Sequence, residues 1–219
     1  MKSKLLLENW KSFLNEDVED SPEIRQYDIG LVPMSAKPFH EGHMSLIRKA
    51  IDECKKVIVY VSITDRSREG EITIFGEDMK YIWENILEKS IKDAYPELKG
   101  EDEGEDKIEF KYGGSPVGKV YKKLEEGMLP DNLDKTYAIY TGDEDKGRYS
   151  SKYYIDMIER VYVRPVIRGK DTPPVSGKLM RSYLSNASED KFLFLDSLPR
   201  EVNDNDKEEI FNILFSRLN

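Results

Sequence analysis

The sequence predicts an α/β fold built on a doubly wound parallel sheet. Three observations carry that expectation. Short β-branched runs alternate with helical patterns along most of the chain, helical patterns rather than tight hairpins join them, and both histidines fall in the loop that leaves the first run. Such alternation builds right-handed crossovers, and ligands then bind beyond the carboxyl ends of the strands.

Taken in order, Leu5, Leu6, Leu7, Trp10 and Phe13 recur at helical spacing and an acidic stretch from Asp17 to Pro22 follows, which predicts a peripheral helix and linker over residues 1–26. Tyr27 to Met34 predicts a buried strand. Met44, Ile47, Ala50 and Ile51 mark one face of a helix beginning near His43 and including Cys54. The run Lys56 to Ile63 predicts a second strand. Met79, Ile82, Trp83, Ile86, Leu87 and Ile91 predict a helix over Asp78 to Ala94, and the acidic Gly100 to Asp106 segment a surface loop. Further strands are expected at Ile108 to Tyr112, Thr136 to Tyr140 and Val161 to Val166, with helices at Val117 to Leu124 and Lys152 to Ile158. One domain therefore occupies residues 27–200, and a C-terminal helix around Ile210 to Leu218, within 201–219, docks on its outside.

A chain of 219 residues can bury roughly 70% of its unfolded surface, so it needs no disulfide or structural metal. Its single cysteine, Cys54, and an opening without a signal-peptide pattern predict a cytoplasmic protein. The longest apolar runs, such as Val57 to Val61, fall far short of a membrane span. Thirty-four basic against 43 acidic residues give a net charge of −9, which argues against coating nucleic acid by phosphate neutralisation. Membrane, secreted and histone-like roles are excluded; an enzyme, a binding module or an assembly component remains, as a monomer or a homo-oligomer.

The chemistry concentrates in Lys37-Pro38-Phe39-His40-Glu41-Gly42-His43, which holds both histidines. Pro38 stiffens the approach, Gly42 permits close packing, and a helix beginning here offers free amides and a positive dipole end to an anion. Two plainer readings compete. Zinc would need a further strong ligand that Cys54 is poorly placed to supply, and the histidines could instead serve as structural caps. An anion site, a phosphate above all, fits best.

These residues resemble the P-x-H-x-G-H signature of the nucleotidyltransferase superfamily, especially its nicotinamide mononucleotide adenylyltransferase branch. Ser176-Gly177-Lys178-Leu179-Met180-Arg181 is similar to a second hallmark of that superfamily, S-x-T-x-x-R at a helix start, with Lys178 where threonine is common. The segments Val57 to Arg66, Gly76 to Trp83, Gly113 to Pro116 and Arg164-Pro165 also resemble nucleotidyltransferases encoded by large tailed bacteriophages, which would put the protein in a host cytoplasm. The resemblance spans most of residues 27–200.

It implies a Rossmann-like sheet that binds a nucleoside triphosphate with magnesium, together with a phosphorylated acceptor that attacks the α-phosphate and releases pyrophosphate. His40 and His43 would donate to the phosphates, and Lys37, Lys178 and Arg181 would neutralise them. The amino end of the helix at Ser176 and Gly177 would add its amides. Ser35 and Gly42 belong to the first loop, and Thr141 and Asp143 would line the nucleobase and ribose pocket, although Gly142-Asp143 also reads as a plain turn. Thr64, Asp65, Arg66 and Arg68 could meet the acceptor phosphate or be solvated. Gly113-Gly114-Ser115 could approach a substrate or simply lead into a capped helix. The favoured transfer is of AMP from ATP to an acceptor such as nicotinamide mononucleotide. Its rivals are a cytidylyltransferase acting on a phosphorylated alcohol, and a non-catalytic nucleotide-binding or assembly protein in which Lys178 marks a decayed site. Class I aminoacyl-tRNA synthetases share the histidine loop but are much longer.

Overall fold

The computed structural model describes residues 27–99 and 106–217. The expected N-terminal helix and linker, and the acidic loop apart from Asp106, lie outside them. Five parallel strands, β1 (Tyr27–Met34), β2 (Cys54–Val61), β3 (Ile108–Tyr112), β4 (Tyr137–Gly142) and β5 (Val161–Val166), pair in the order β3-β2-β1-β4-β5. The strand order reverses between β1 and β4, and such a switch point opens a crevice at the carboxyl ends of the strands.

Alternating residues feed two apolar layers. Val57, Val59 and Val61 of β2 face one side with Ala138 and Tyr140 of β4, while Ile58 and Tyr60 face the other with Tyr137 and Ile139. The first layer takes Met44 and Ile47 of α1 (Glu41–Glu53), Met79 and Ile82 of α2 (Gly76–Ile82), Ile91 of α3 (Glu88–Ala94) and Met180 of α5 (Gly177–Ser185). It also takes Phe194 of α6 (Ala187–Asp196) and Phe211 of α7 (Asp204–Ser216). The second layer takes Val120 and Leu124 of α4 (Pro116–Glu126). A π-turn at Trp83–Leu87 joins α2 to α3, so the expected single helix is continuous but locally widened. Among the described residues no helix is long and apolar enough to cross a membrane.

Several boundaries differ from those expected. The first helix starts two residues earlier, at Glu41 with His40 as its N-cap, and ends before Cys54. Cys54 opens β2 instead, because its sulfur packs against Gly30 of β1, where a side-chain carbon would come within 2.8 Å of it. No α-helix forms at Lys152–Ile158. Two 3₁₀ turns, Ser151–Tyr153 and Ile155–Met157, stand there, because Tyr149, Tyr154 and Met157 must all point into the second layer and their spacing is not that of an α-helix. Helix α6 went unpredicted. Near the C-terminal end α7 packs with Phe211 edge-on to Phe194, ring centres 5.5 Å apart.

Candidate active site

A cavity of about 600 Å³ opens at the carboxyl ends of β1, β4 and β5, where the strand order reverses. Ser35, Lys37, His40, Gly42, His43, Thr141, Asp143, Ser176, Gly177, Lys178 and Arg181 all line it, so the fold gathers every residue singled out from the two motifs and the fourth strand. Gly113-Gly114-Ser115 does not line it. Both glycines have positive φ, and Ser115 caps α4 by accepting from Gly118 N at 3.2 Å, as in the plain turn.

The histidine loop follows from local chemistry. His40 is extended and its Nδ1 accepts a hydrogen bond from Gly42 N at 3.1 Å, so the imidazole does the capping work usually left to serine or aspartate. A side chain at position 42 would come within 3.0 Å of that ring. With Nδ1 accepting, the proton of His40 resides on Nε2, leaving Nε2–H as its donor. The two imidazoles lie 3.8 Å apart between centres, and His43 stacks on Phe39 at 5.8 Å. Burial, then the charge of Arg168, lowers the His43 pKa to about 3. Burial first, then His43, Arg168 and Arg181, pushes His40 well below the ordinary imidazole range. Both rings are therefore neutral at pH 7, and His43 Nδ1 is buried without a partner among the described residues.

The two motifs, far apart in sequence, are tied together. Arg181 donates from NH1 to the backbone oxygen of Lys37 at 2.6 Å, and its Nε donates to Glu71 at 2.8 Å. Gly177 is needed at the crossing, since a side-chain carbon there would lie 3.1 Å from both the Arg181 NH1 and the Lys37 oxygen. Ser176 caps α5 by accepting from Leu179 N at 3.2 Å, which leaves the amino end of that helix facing the cavity beside His40.

The cations divide into two kinds. Lys37 is buried and its ammonium points into its own neighbourhood, donating to Ser62 Oγ at 3.3 Å and to the backbone oxygen of Thr64; desolvation lowers its pKa, against the pull of Asp65. Lys178 is exposed and makes no hydrogen bond or ion pair with a described residue. Arg66, Arg68 and Arg168 add three further cations to the lining. Arg168 and Glu71 escaped the sequence reading. The only signal for Arg168 was its place just past β5, and Glu71 had none, because its partner is 110 residues away.

In the same lining Asp143 pairs with Lys146 at 2.8 Å, Asp145 with Arg148 at 3.0 Å and Glu144 with Arg168 at 3.4 Å. No group of three or more histidine, cysteine or acidic side chains among the described residues is arranged to hold a metal. Cys54 does not line the cavity, and burial foremost pushes its thiol up to about 12.

The family described as citrate lyase ligase C-terminal domain matches residues 29–74, from β1 through the histidine loop and β2. That match covers the histidine loop that carries the nucleotidyltransferase resemblance, and the five-stranded parallel sheet is Rossmann-like. Among solved structures, a bifunctional NMN adenylyltransferase/ADP ribose pyrophosphatase from Francisella tularensis is similar over 88% of this chain, at 19% identity and a TM-score of 0.45. The similarity covers 54% of that protein, so this chain spans about half its length. No curated protein matches the sequence.

Proposed function

We propose that the protein is a nucleotidyltransferase that moves AMP from ATP onto a phosphorylated acceptor such as nicotinamide mononucleotide. An acceptor phosphate oxygen attacks the α-phosphorus, that P–O bond forms, the bond to the β-phosphate oxygen breaks, and its electron pair leaves with pyrophosphate. The observation that carries this reading is the pair of neutral, adjacent imidazoles, His40 and His43, set with the amino ends of α1 and α5 around one cavity. Neutral N–H donors and helix amides stabilise charge developing on a phosphorus centre without themselves losing protons. Transfer of this kind is mostly positioning and electrostatics.

In this reading His40 and His43 donate to the α-phosphate, while Ser176, Gly177 and Lys178 receive the β- and γ-phosphates at the start of α5. Ser35 and Gly42 let the phosphates approach the backbone. Thr141 and Asp143 line the nucleoside end, and Arg66 and Arg68 suit the acceptor phosphate. Lys37 braces the loop from beneath, as its bonds to Ser62 and Thr64 suggest. Magnesium would come as the counter-ion of the triphosphate rather than on a site built by the protein, and would supply charge that favours pyrophosphate as a leaving group.

One observation favours a second reading, a nucleotide-binding protein without turnover: the cations of both Lys37 and Arg181 already have protein partners. Incubating the protein with ATP or CTP, magnesium and a panel of phosphorylated metabolites, while following pyrophosphate, separates these readings. Release with ATP and one acceptor is expected; release with CTP and a phosphorylated alcohol would name the cytidylyl reaction instead. Binding without release would leave the second reading.

A further inference from the structure

Residues 66–74 form a small flap over the cavity. Arg66 and Ile74 exchange backbone hydrogen bonds of 2.8 and 2.9 Å, which closes its base, and Glu71 N donates to Arg68 O at 3.0 Å beyond Gly70, whose φ is +73°. The base is firmly seated. Ile74 is buried, Asp65 accepts from Gly76 N at 2.8 Å, and any side chain at position 76 would collide with the Ile63 backbone oxygen. Ser67, Arg68, Glu69 and Gly70 at the tip are exposed. From this flap Glu71 crosses to α5 and meets Arg181, its carboxylate lying 2.8 Å from Nε and 2.7 Å from NH2.

That edge of the guanidinium matters. Arg181 NH1 is committed to the Lys37 oxygen, so the Nε/NH2 edge is the fork with which Arg181 could grip a phosphate, and Glu71 fills it. Arg66 and Arg68 line the same side of the cavity, and Arg66 Nε is buried with no partner among the described residues. Three arginines thus surround one carboxylate, whose pKa is lowered, against its desolvation, by the Arg181 bond and by the charges of Arg181, Arg66 and Arg68.

We infer that Glu71 is a built-in stand-in for phosphate, a latch that holds the flap on Arg181 and must be displaced before a polyphosphate can bind there. The inference rests on the nucleotidyltransferase reading for its ligand. A carboxylate that closes the site to anions lowers their apparent affinity by the fraction of molecules in which the latch is open. Displacement also frees Arg68, on the exposed tip, to follow the flap onto the incoming charge beside the fixed Arg66, so the device that excludes stray monoanions delivers a further cation to a polyanion.

Titration calorimetry of inorganic tripolyphosphate into the full-length protein and into Glu71→Gln tests this. The variant keeps the shape of the side chain and removes its charge; binding about tenfold tighter than the parent is expected. Glu71→Asp, which keeps the charge but withdraws it by one methylene, should fall between them and serves as the readout if Glu71→Gln melts early. Equal or weaker binding by the variants would overturn the latch and make Glu71 a brace that orients Arg181. That result alongside pyrophosphate release by the parent would leave the nucleotidyltransferase reading intact. Failure of every form to bind tripolyphosphate or ATP would remove both.

Discussion

Two partly buried polar clusters border the same sheet and are built on opposite principles. Where the end of α1 meets β4 and β5, Glu53 accepts from Tyr140 at 2.9 Å and from Arg164 at 3.0 and 3.1 Å, and the Cys54 sulfur lies 3.2 Å from the Tyr140 hydroxyl. Each group there has found its partner. At the carboxyl ends, His43 Nδ1 and Arg66 Nε have none among the described residues, two neutral imidazoles press together, and cations outnumber the carboxylates that answer them. Full satisfaction of hydrogen bonds belongs to structure, whereas a polar group held ready without a partner belongs to a ligand. Trp83 Nε1 is a third unpartnered atom; its ring lies edge-on to Phe39, 4.7 Å between centres, behind the histidine stack.

The contrast can be broken most severely at His43. His43→Ala is expected to reduce turnover by about 100-fold or more while changing ATP affinity little, since a donor aimed at transition-state charge acts there rather than in the ground state. Steady-state pyrophosphate release against calorimetric affinity checks it, and a loss below about tenfold would move His43 out of the catalytic set. Glu53→Ala should behave in the opposite way. It removes the acceptor shared by Arg164 and Tyr140, leaves the Tyr140 hydroxyl only the Cys54 sulfur, and should destabilise the fold by about 1 kcal/mol in denaturant melts, with turnover per folded molecule unchanged.

A pH titration sharpens the same comparison. The folded pKa of His43, about 3, lies below its unfolded value of about 6.5, so the unfolded chain binds the extra proton between those limits. Stability supplied by the neutral ring is complete above pH 6.5 and declines as the pH falls toward 3, by up to ~1.4 kcal/mol per pH unit. Melts of the parent and His43→Gln across that range should diverge accordingly, with the variant giving the shallower slope; parallel curves would mean that the ring is solvated. The smallest expected effect is at Lys178. Lys178→Ala should weaken ATP binding several-fold, by about 1 kcal/mol, while raising ligand-free stability by a few tenths, because a cation in the first turn of α5 opposes the helix dipole until an anion arrives. Denaturant melts with and without ATP and magnesium read both changes.

How far the sequence revealed these regions depends on the range of the interactions. The β-branched run Val57–Val61 and the Pro38, Gly42 and His43 spacing act within a few residues, so the strands, the switch-point loop and the cavity lining could be read in advance. The 3₁₀ path through Tyr149, Tyr154 and Met157 could not, because its spacing answers to the second apolar layer and not to its own neighbours. Cys54 was expected in a helix for the same reason: only the close approach of Gly30 puts it in a strand. Glu71 belongs to a contact spanning 110 residues, and the full engagement of Lys37 with Ser62 and Thr64 was equally hidden in a residue whose charge suggested an outward role.

The bond from Arg181 to the Lys37 oxygen also sets a clock. At the usual pace of synthesis, roughly 5 to 20 residues per second, the 144 positions between them separate the birth of the histidine loop from that of its brace by about 7 to 30 seconds. During that interval the nascent chain carries the histidines and the first crossover but lacks Gly177, Arg181 and the amino end of α5. A ribosome-bound chain halted before position 177 therefore presents half a cavity, and the lining is complete only once Gly177, Lys178 and Arg181 have been made.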